Sequence, residues 1–140
     1  MKQIISISAG VLLVILAISI QSINAQEDVG RLLKQLEEDS DRFSKTLNKG
    51  LDNSQINGTN TEDEINGYVK QFEDSCDRLK KNYDKRQDTR VSVQEVLGRG
   101  RSIDTFLKKY KLNSTVRTDW RTVKDDLNRL ARAHKMRLGF

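Results

Sequence analysis

The chain holds one cysteine, Cys76, and one histidine, His134, so thiol–imidazole chemistry could come only from that pair. Such pairs meet in the fold rather than along the chain, and their spacing alone does not forbid them. Cys76, however, falls between Phe72 and Leu79 on an apolar seam, where a small buried thiol is the ordinary occupant. His134 falls near the end of the last helical segment, and a structural or helix-end role is expected of it. A di-iron bundle needs Glu-x-x-His on two helices. Here the residue three before His134 is Ala131. The Cys-x-x-Cys-His run of attached haem is absent, and Met136 is only two positions from His134. Residues two apart point to different sides of a helix, which disfavours haem held by both. The expectation is no catalytic residue, no metal site and no cofactor.

Acidic and basic clusters come next. The run Glu37-Glu38-Asp39 with Asp41 could suggest a cation site, but calcium sites converge from a loop with a glycine turn. On a helix these carboxylates are expected to fan into solvent. The charge balance is more informative. Residues 26–88 carry 11 Lys+Arg and 15 Asp+Glu, a net of −4, whereas residues 89–140 carry 13 and 5, a net of +8. The bland reading is compensation between neighbouring helices. The functional reading is a basic surface for an anionic partner, carried by Arg99, Arg101, Lys108 and Lys109 on the third helix and Arg129, Arg132 and Lys135 on the fourth. Nucleic acid is the weaker partner, because the tyrosines and phenylalanines occupy seams and offer no stacking platform.

Four elements must position these residues. The chain has no proline, so helices are broken only by glycine and turn-forming residues. Apolar residues recur at steps of three and four in four segments. They are Val29, Leu33, Leu36, Ser40, Phe43, Leu47 and Leu51, with a polar lapse at Ser40; then Ile65, Val69, Phe72, Cys76, Leu79 and Tyr83. The third set is Val93, Val96, Gly100, Ile103, Leu107 and Tyr110, and the fourth is Val116, Trp120, Val123, Leu127, Leu130, His134 and Leu138. Steps averaging near 3.5 residues are those of coiled-coil-like bundle packing. The spacing predicts helices over 28–51, 61–87, 92–111 and 115–136. Capping boxes are expected at Thr61 to Glu64 and Ser92 to Glu95, and Ser114 or Thr115 is expected to cap the fourth helix. Short connections imply antiparallel neighbours. The fold class is all-α, an antiparallel up-down four-helix bundle; the alternative is a three-helix bundle with the middle helices merged through Thr89 to Val91. Asn57-Gly58-Thr59 and Asn113-Ser114-Thr115 fall in the connections, where such residues belong anyway, and they are glycan acceptors only in a host with that machinery.

The hydrophobic fraction of 36% is unevenly spread: residues 1–25 contain 16 apolar residues and one charge, Lys2. A short positive start, an apolar stretch from Ile4 to Ile20 and a small residue at Ala25 match a signal peptide, with Gln26 as the mature start. The apolar stretch reaches the lower edge of membrane-spanning length, so an uncleaved anchor is the alternative. In an oxidising compartment a lone cysteine is either buried or paired between chains.

The segment Asp119-Trp120-Arg121-Thr122-Val123-Lys124-Asp125-Asp126-Leu127-Asn128-Arg129-Leu130-Ala131 resembles the Asp-Trp…Asp-Leu…Leu-Ala pattern of uncharacterised small exported bacterial helical proteins. The resemblance extends to Asp41-Arg42-Phe43, Asp63 to Asn66, Phe72-Glu73 with Asp77-Arg78-Leu79, and Ile103 to Phe106. It implies export and a helical bundle, and no activity. In such relatives an aromatic residue is expected where this chain has His134. Physically, Trp120 is read as a core anchor on the first turn of the last helix, with Asp119 favouring its N-terminal dipole.

These features lead to one expectation and two rivals. The expectation is an exported, non-enzymatic bundle of the periplasm or envelope that binds an anionic envelope component or an acidic protein. The rivals are a self-associating structural subunit, and a thiol- or cofactor-dependent protein built on Cys76 and His134.

Overall fold

The computed structural model describes the backbone of residues 9–137 and the side chains of residues 29–137. The chain forms four helices: α1 (Ala9–Asp52), α2 (Asn60–Asp84), α3 (Arg90–Lys109) and α4 (Ser114–Ala133). It is an all-α four-helix bundle. The expected leader over 1–25 and the seam position Leu138 fall outside the residues whose side chains are described. Among the described residues no helix is long and apolar enough to cross a membrane.

Helix ends follow from local chemistry, and three differ from the expected caps. The capping box at α2 lies two residues earlier than expected. Thr59 accepts from the Glu62 amide, while Glu62 reaches back to the Gly58 amide. Thr59 wins because Gly58 takes φ 71, a left-handed turn that only glycine adopts freely, and so sets the cap beside it. At α3 the expected box at Ser92 to Glu95 is inside the helix, which starts at Arg90. Ser92 and Glu95 are drawn instead to α2: Asn82 donates to the Ser92 hydroxyl at 2.8 Å, and Arg78 donates to Glu95 at 2.6 Å. Asn113, not Ser114 or Thr115, caps α4, accepting from the Val116 amide at 3.0 Å.

The middle segments do not merge, because α2 closes on a left-handed residue. Arg86 has φ 56; its amide donates to Tyr83 O at 2.9 Å, and the Gln87 amide donates to Asn82 O at 3.0 Å. This is the Schellman closure that usually employs glycine. α4 ends the same way at Lys135, φ 53, with Met136 donating to Ala131 O at 2.8 Å.

The described seam positions are all buried or half-buried. α1 packs most closely on α4, and α2 on α3, while α1·α2 and α3·α4 close the ring more loosely. Short connections then make neighbours antiparallel, an up-down-up-down order. The α1 backbone meets the Val116 side chain of α4 at Gly50, where an added Cβ would lie 2.6 Å from Val116 Cγ2.

Diagonal helices meet through one side chain. Trp120 on α4 lies 5.0 Å from the Phe43 ring on α1 and is edge-on to the Phe72 ring on α2 at 6.2 Å. Its indole N–H donates to Asp104 on α3 at 3.0 Å. Trp120 therefore touches all three other helices, which makes it the core anchor of the bundle. Asp119, beside it, accepts from the Thr46 hydroxyl on α1 at 2.6 Å, so it ties α4 to α1. Because α4 begins at Ser114, both residues stand in its second turn rather than the expected first, and no acidic residue occupies the first turn.

Candidate functional site

The seven cations expected to make one basic surface face several ways. Arg99 is held by Gln71 on α2 and lies 3.8 Å from Glu95. Lys109 stands 4.9 Å over the Tyr110 ring. Arg101 is exposed beside a shallow cleft of about 380 Å³ that it shares with Lys109, Glu64 and Tyr68. Arg129 reaches across to Gln35 on α1 at 3.0 Å. Arg132 and Lys135 are exposed at the far end of α4. Only Lys108 enters the cluster described next.

That cluster is the groove between α3 and α4, the basic pair of neighbours. Lys108 from α3 and Arg117, Arg121 and Lys124 from α4 surround a hollow of about 180 Å³ floored by Asp104 and Trp120. Asp104 is buried, at 3% exposure. It accepts from Lys108 at 2.6 Å, from Lys124 at 3.0 Å and from the Trp120 indole. Burial pushes its carboxyl upward, and the three hydrogen bonds from Lys108, Trp120 and Lys124 outweigh that, holding it below the usual carboxylate range. One carboxylate thus stands among four cations. Arg117 and Arg121 are exposed at the rim.

The sequence contained a sign of this stripe. Positions 117, 121 and 124 follow the seam positions 116, 120 and 123 by one residue, so they share a helix face that borders the core. Only the pairing of α3 with α4 brings Lys108 to the same place.

Cross-helix ion pairs leave cations in excess on α3 and α4. Arg78 pairs with Glu95, and Lys124 with Asp104, across helix boundaries. In the first, the cation comes from acidic α2 and the carboxylate from basic α3. The pairing therefore does not neutralise the surplus positive charge of α3 and α4, as simple compensation would.

The acidic run behaves differently from the expected solvated face. Glu37, Glu38 and Asp41 are exposed, but Asp39 is buried at 5% exposure, because its helical angle turns it toward α4. There it faces Asp126, buried at 2% and within hydrogen-bonding reach. Arg42 donates to Asp39 Oδ1, and Arg129 donates to Asp126 Oδ1 at 3.2 Å. Neither aspartate was legible as a core residue, since each stands one position before a seam residue, Ser40 or Leu127, where a charged side chain is expected to border solvent.

The thiol and the imidazole stay apart. Cys76 is buried with its thiol against Ser40, and burial pushes the thiol far above its usual range. Ser40, the polar lapse on α1, donates to Leu36 O at 2.6 Å and so is satisfied inside the core. His134 caps α4: Nδ1 lies 3.1 Å from Leu130 O, and Nε2 lies 3.3 Å from the Thr89 hydroxyl. Among the described residues no group of three His, Cys, Asp or Glu side chains could hold a metal ion. Of the two glycan-type triplets, Asn57 donates to Asp52 O and Asn113 is spent as the α4 cap.

No family model, no curated protein and no solved structure matches the chain.

Proposed function

We propose that the chain is an exported, non-enzymatic bundle that binds an anionic component of the cell envelope through the groove between α3 and α4. The observation that carries this reading is the gathering of Lys108, Arg117, Arg121 and Lys124 around the single carboxylate of Asp104. Four cations held by two rigid helices create a local positive field, and such a field raises both the capture rate and the residence of an anionic ligand. The leader-like pattern over residues 1–25 and the resemblance to small exported helical proteins support the compartment. The separate engagements of Cys76 and His134 favour binding over catalysis.

The reading is tested with vesicles of an anionic phospholipid against vesicles of a zwitterionic one. Binding to the anionic vesicles is expected at roughly 10 mM salt, where charges act over about 30 Å, and it should fall as salt rises. The double reversal Arg117→Glu and Arg121→Glu is expected to weaken it by at least about tenfold, since each cation near such a surface contributes about 1 kcal/mol. Absence of binding at low salt removes the anionic-surface reading. Equal binding by the double variant moves the site off the groove. The mass of the exported protein reads the compartment separately, with a start at Gln26 expected.

A further inference from the structure

Asp39 and Asp126 meet between α1 and α4, the most closely packed pair of helices, and both are almost wholly buried. Each carboxyl has one oxygen taken by an arginine three residues along its own helix. Asp126 Oδ2 has no donor among the described residues, although Asp39 lies within hydrogen-bonding reach of the same carboxyl. Two ionised carboxylates side by side in a buried site repel, and a buried acceptor left without a donor carries an uncompensated desolvation cost. A proton on Asp126 Oδ2 removes both penalties at once. The orphaned oxygen becomes a donor to Asp39, and one of the two negative charges disappears.

We propose that Asp39 and Asp126 form a proton-binding site that clasps α1 to α4 while one proton is held between them, and that slackens this contact when the proton leaves. The groups around the pair support a single shared proton. From α1 the pair is faced by Arg42 and the neutral amide of Gln35, and from α4 by Arg129. Two guanidiniums against two carboxyls balance the ionised pair in charge, yet neither arginine reaches Asp126 Oδ2, so the deprotonated form keeps an orphaned charge. On α2, Cys76 lies against Ser40 beside this stretch of α1, and its raised thiol stays protonated. On α3, the carboxylate turned to α4 is Asp104, already taken by Lys108, Lys124 and Trp120.

Burial, the hydrogen bond with Asp39 and the Asp39 charge push the Asp126 carboxyl up to about 7. The sign follows from linkage. The folded state holds the proton more tightly than the unfolded chain, so this contribution is fully present in acid. It is lost as pH rises from the ordinary aspartate value toward about 7. Acidification thus tightens the α1–α4 contact, the reverse of the usual behaviour of paired carboxylates.

The test is carbon-13 NMR of the aspartate carboxyl carbons in the full chain, together with hydrogen exchange of backbone amides in α1 and α4 around Asp39 and Asp126. One aspartate is expected to titrate above about pH 6, against the ordinary value near 4. Amide opening, corrected for intrinsic rate, should increase at least about tenfold between pH 5 and pH 8. In Asp126→Asn, whose amide donates to Asp39 at every pH, the high titration is expected to vanish and the opening to become flat. If that variant does not fold, the titration of the natural chain decides alone. Every aspartate titrating below about pH 5 overturns the proposal, as does an opening rate that does not change with pH.

Discussion

The indole N–H of Trp120 donates to Asp104 Oδ1 at 3.0 Å, and both residues are buried. This bond joins the two basic helices beneath the cationic groove, while the same indole lies against the rings of Phe43 and Phe72 from the other two. The groove floor and the core anchor are therefore one structure. A charge change at Asp104 should be felt in both.

Asp104→Asn keeps an acceptor for the indole but drops the charge, and is expected to lower stability by about 1 kcal/mol. Asp104→Ala removes the acceptor too, leaves the buried indole N–H orphaned, and should cost about 2–3 kcal/mol. Urea unfolding of both variants measures the difference. The pH dependence has a definite sign. Because its partners hold the Asp104 carboxyl low, its contribution is present above the ordinary aspartate range and is lost as pH falls below it. Asp104→Asn should therefore flatten the acid limb of the stability curve. An unchanged acid limb would count against these hydrogen bonds.

Two glycines with opposite surroundings give opposite expectations. At Gly50 a methyl group would meet Val116 Cγ2 at 2.6 Å, with Asn113 Nδ2 at 3.2 Å, so the buried Val116 side chain would have to give way. Gly50→Ala is expected to destabilise by about 1–3 kcal/mol. Gly67, inside α2, has nothing within 4 Å of the added atom. Gly67→Ala should stabilise by about 0.5–1 kcal/mol through helix propensity alone. Thermal melts compare the two directly, and a stabilising Gly50→Ala would contradict the close approach.

Arg86 closes α2 in a left-handed conformation that a side chain resists. Arg86→Gly is expected to raise stability by about 0.5–1 kcal/mol, since the closure needs backbone bonds and no side chain. The same change at Lys135, φ 53, should act in the same direction at the end of α4. Losses in both would mean that these side chains hold the turns by contacts of their own.

Sequence alone placed four apolar seams and their order along the chain, while the separation of the middle two helices was decided by the closure at Arg86. Burying an apolar stripe every three or four residues is a local requirement, so Leu36, Phe43, Phe72, Ile103 and Leu127 announced themselves by spacing. The absence of proline left long helices uninterrupted. Cap positions were less legible, because Thr59 and Thr61, or Asn113 and Ser114, differ only in which backbone turn reaches them first. The polar interior was decided by tertiary structure. Asp39 and Asp126 lie far apart in the chain, and nothing in the helical period of either predicts that the other will face it. Lys108 joins Arg117, Arg121 and Lys124 only because α3 and α4 are neighbours at that register. Periodicity records what each helix hides from water, whereas charge pairing depends on distances between helices, which only the packed bundle sets.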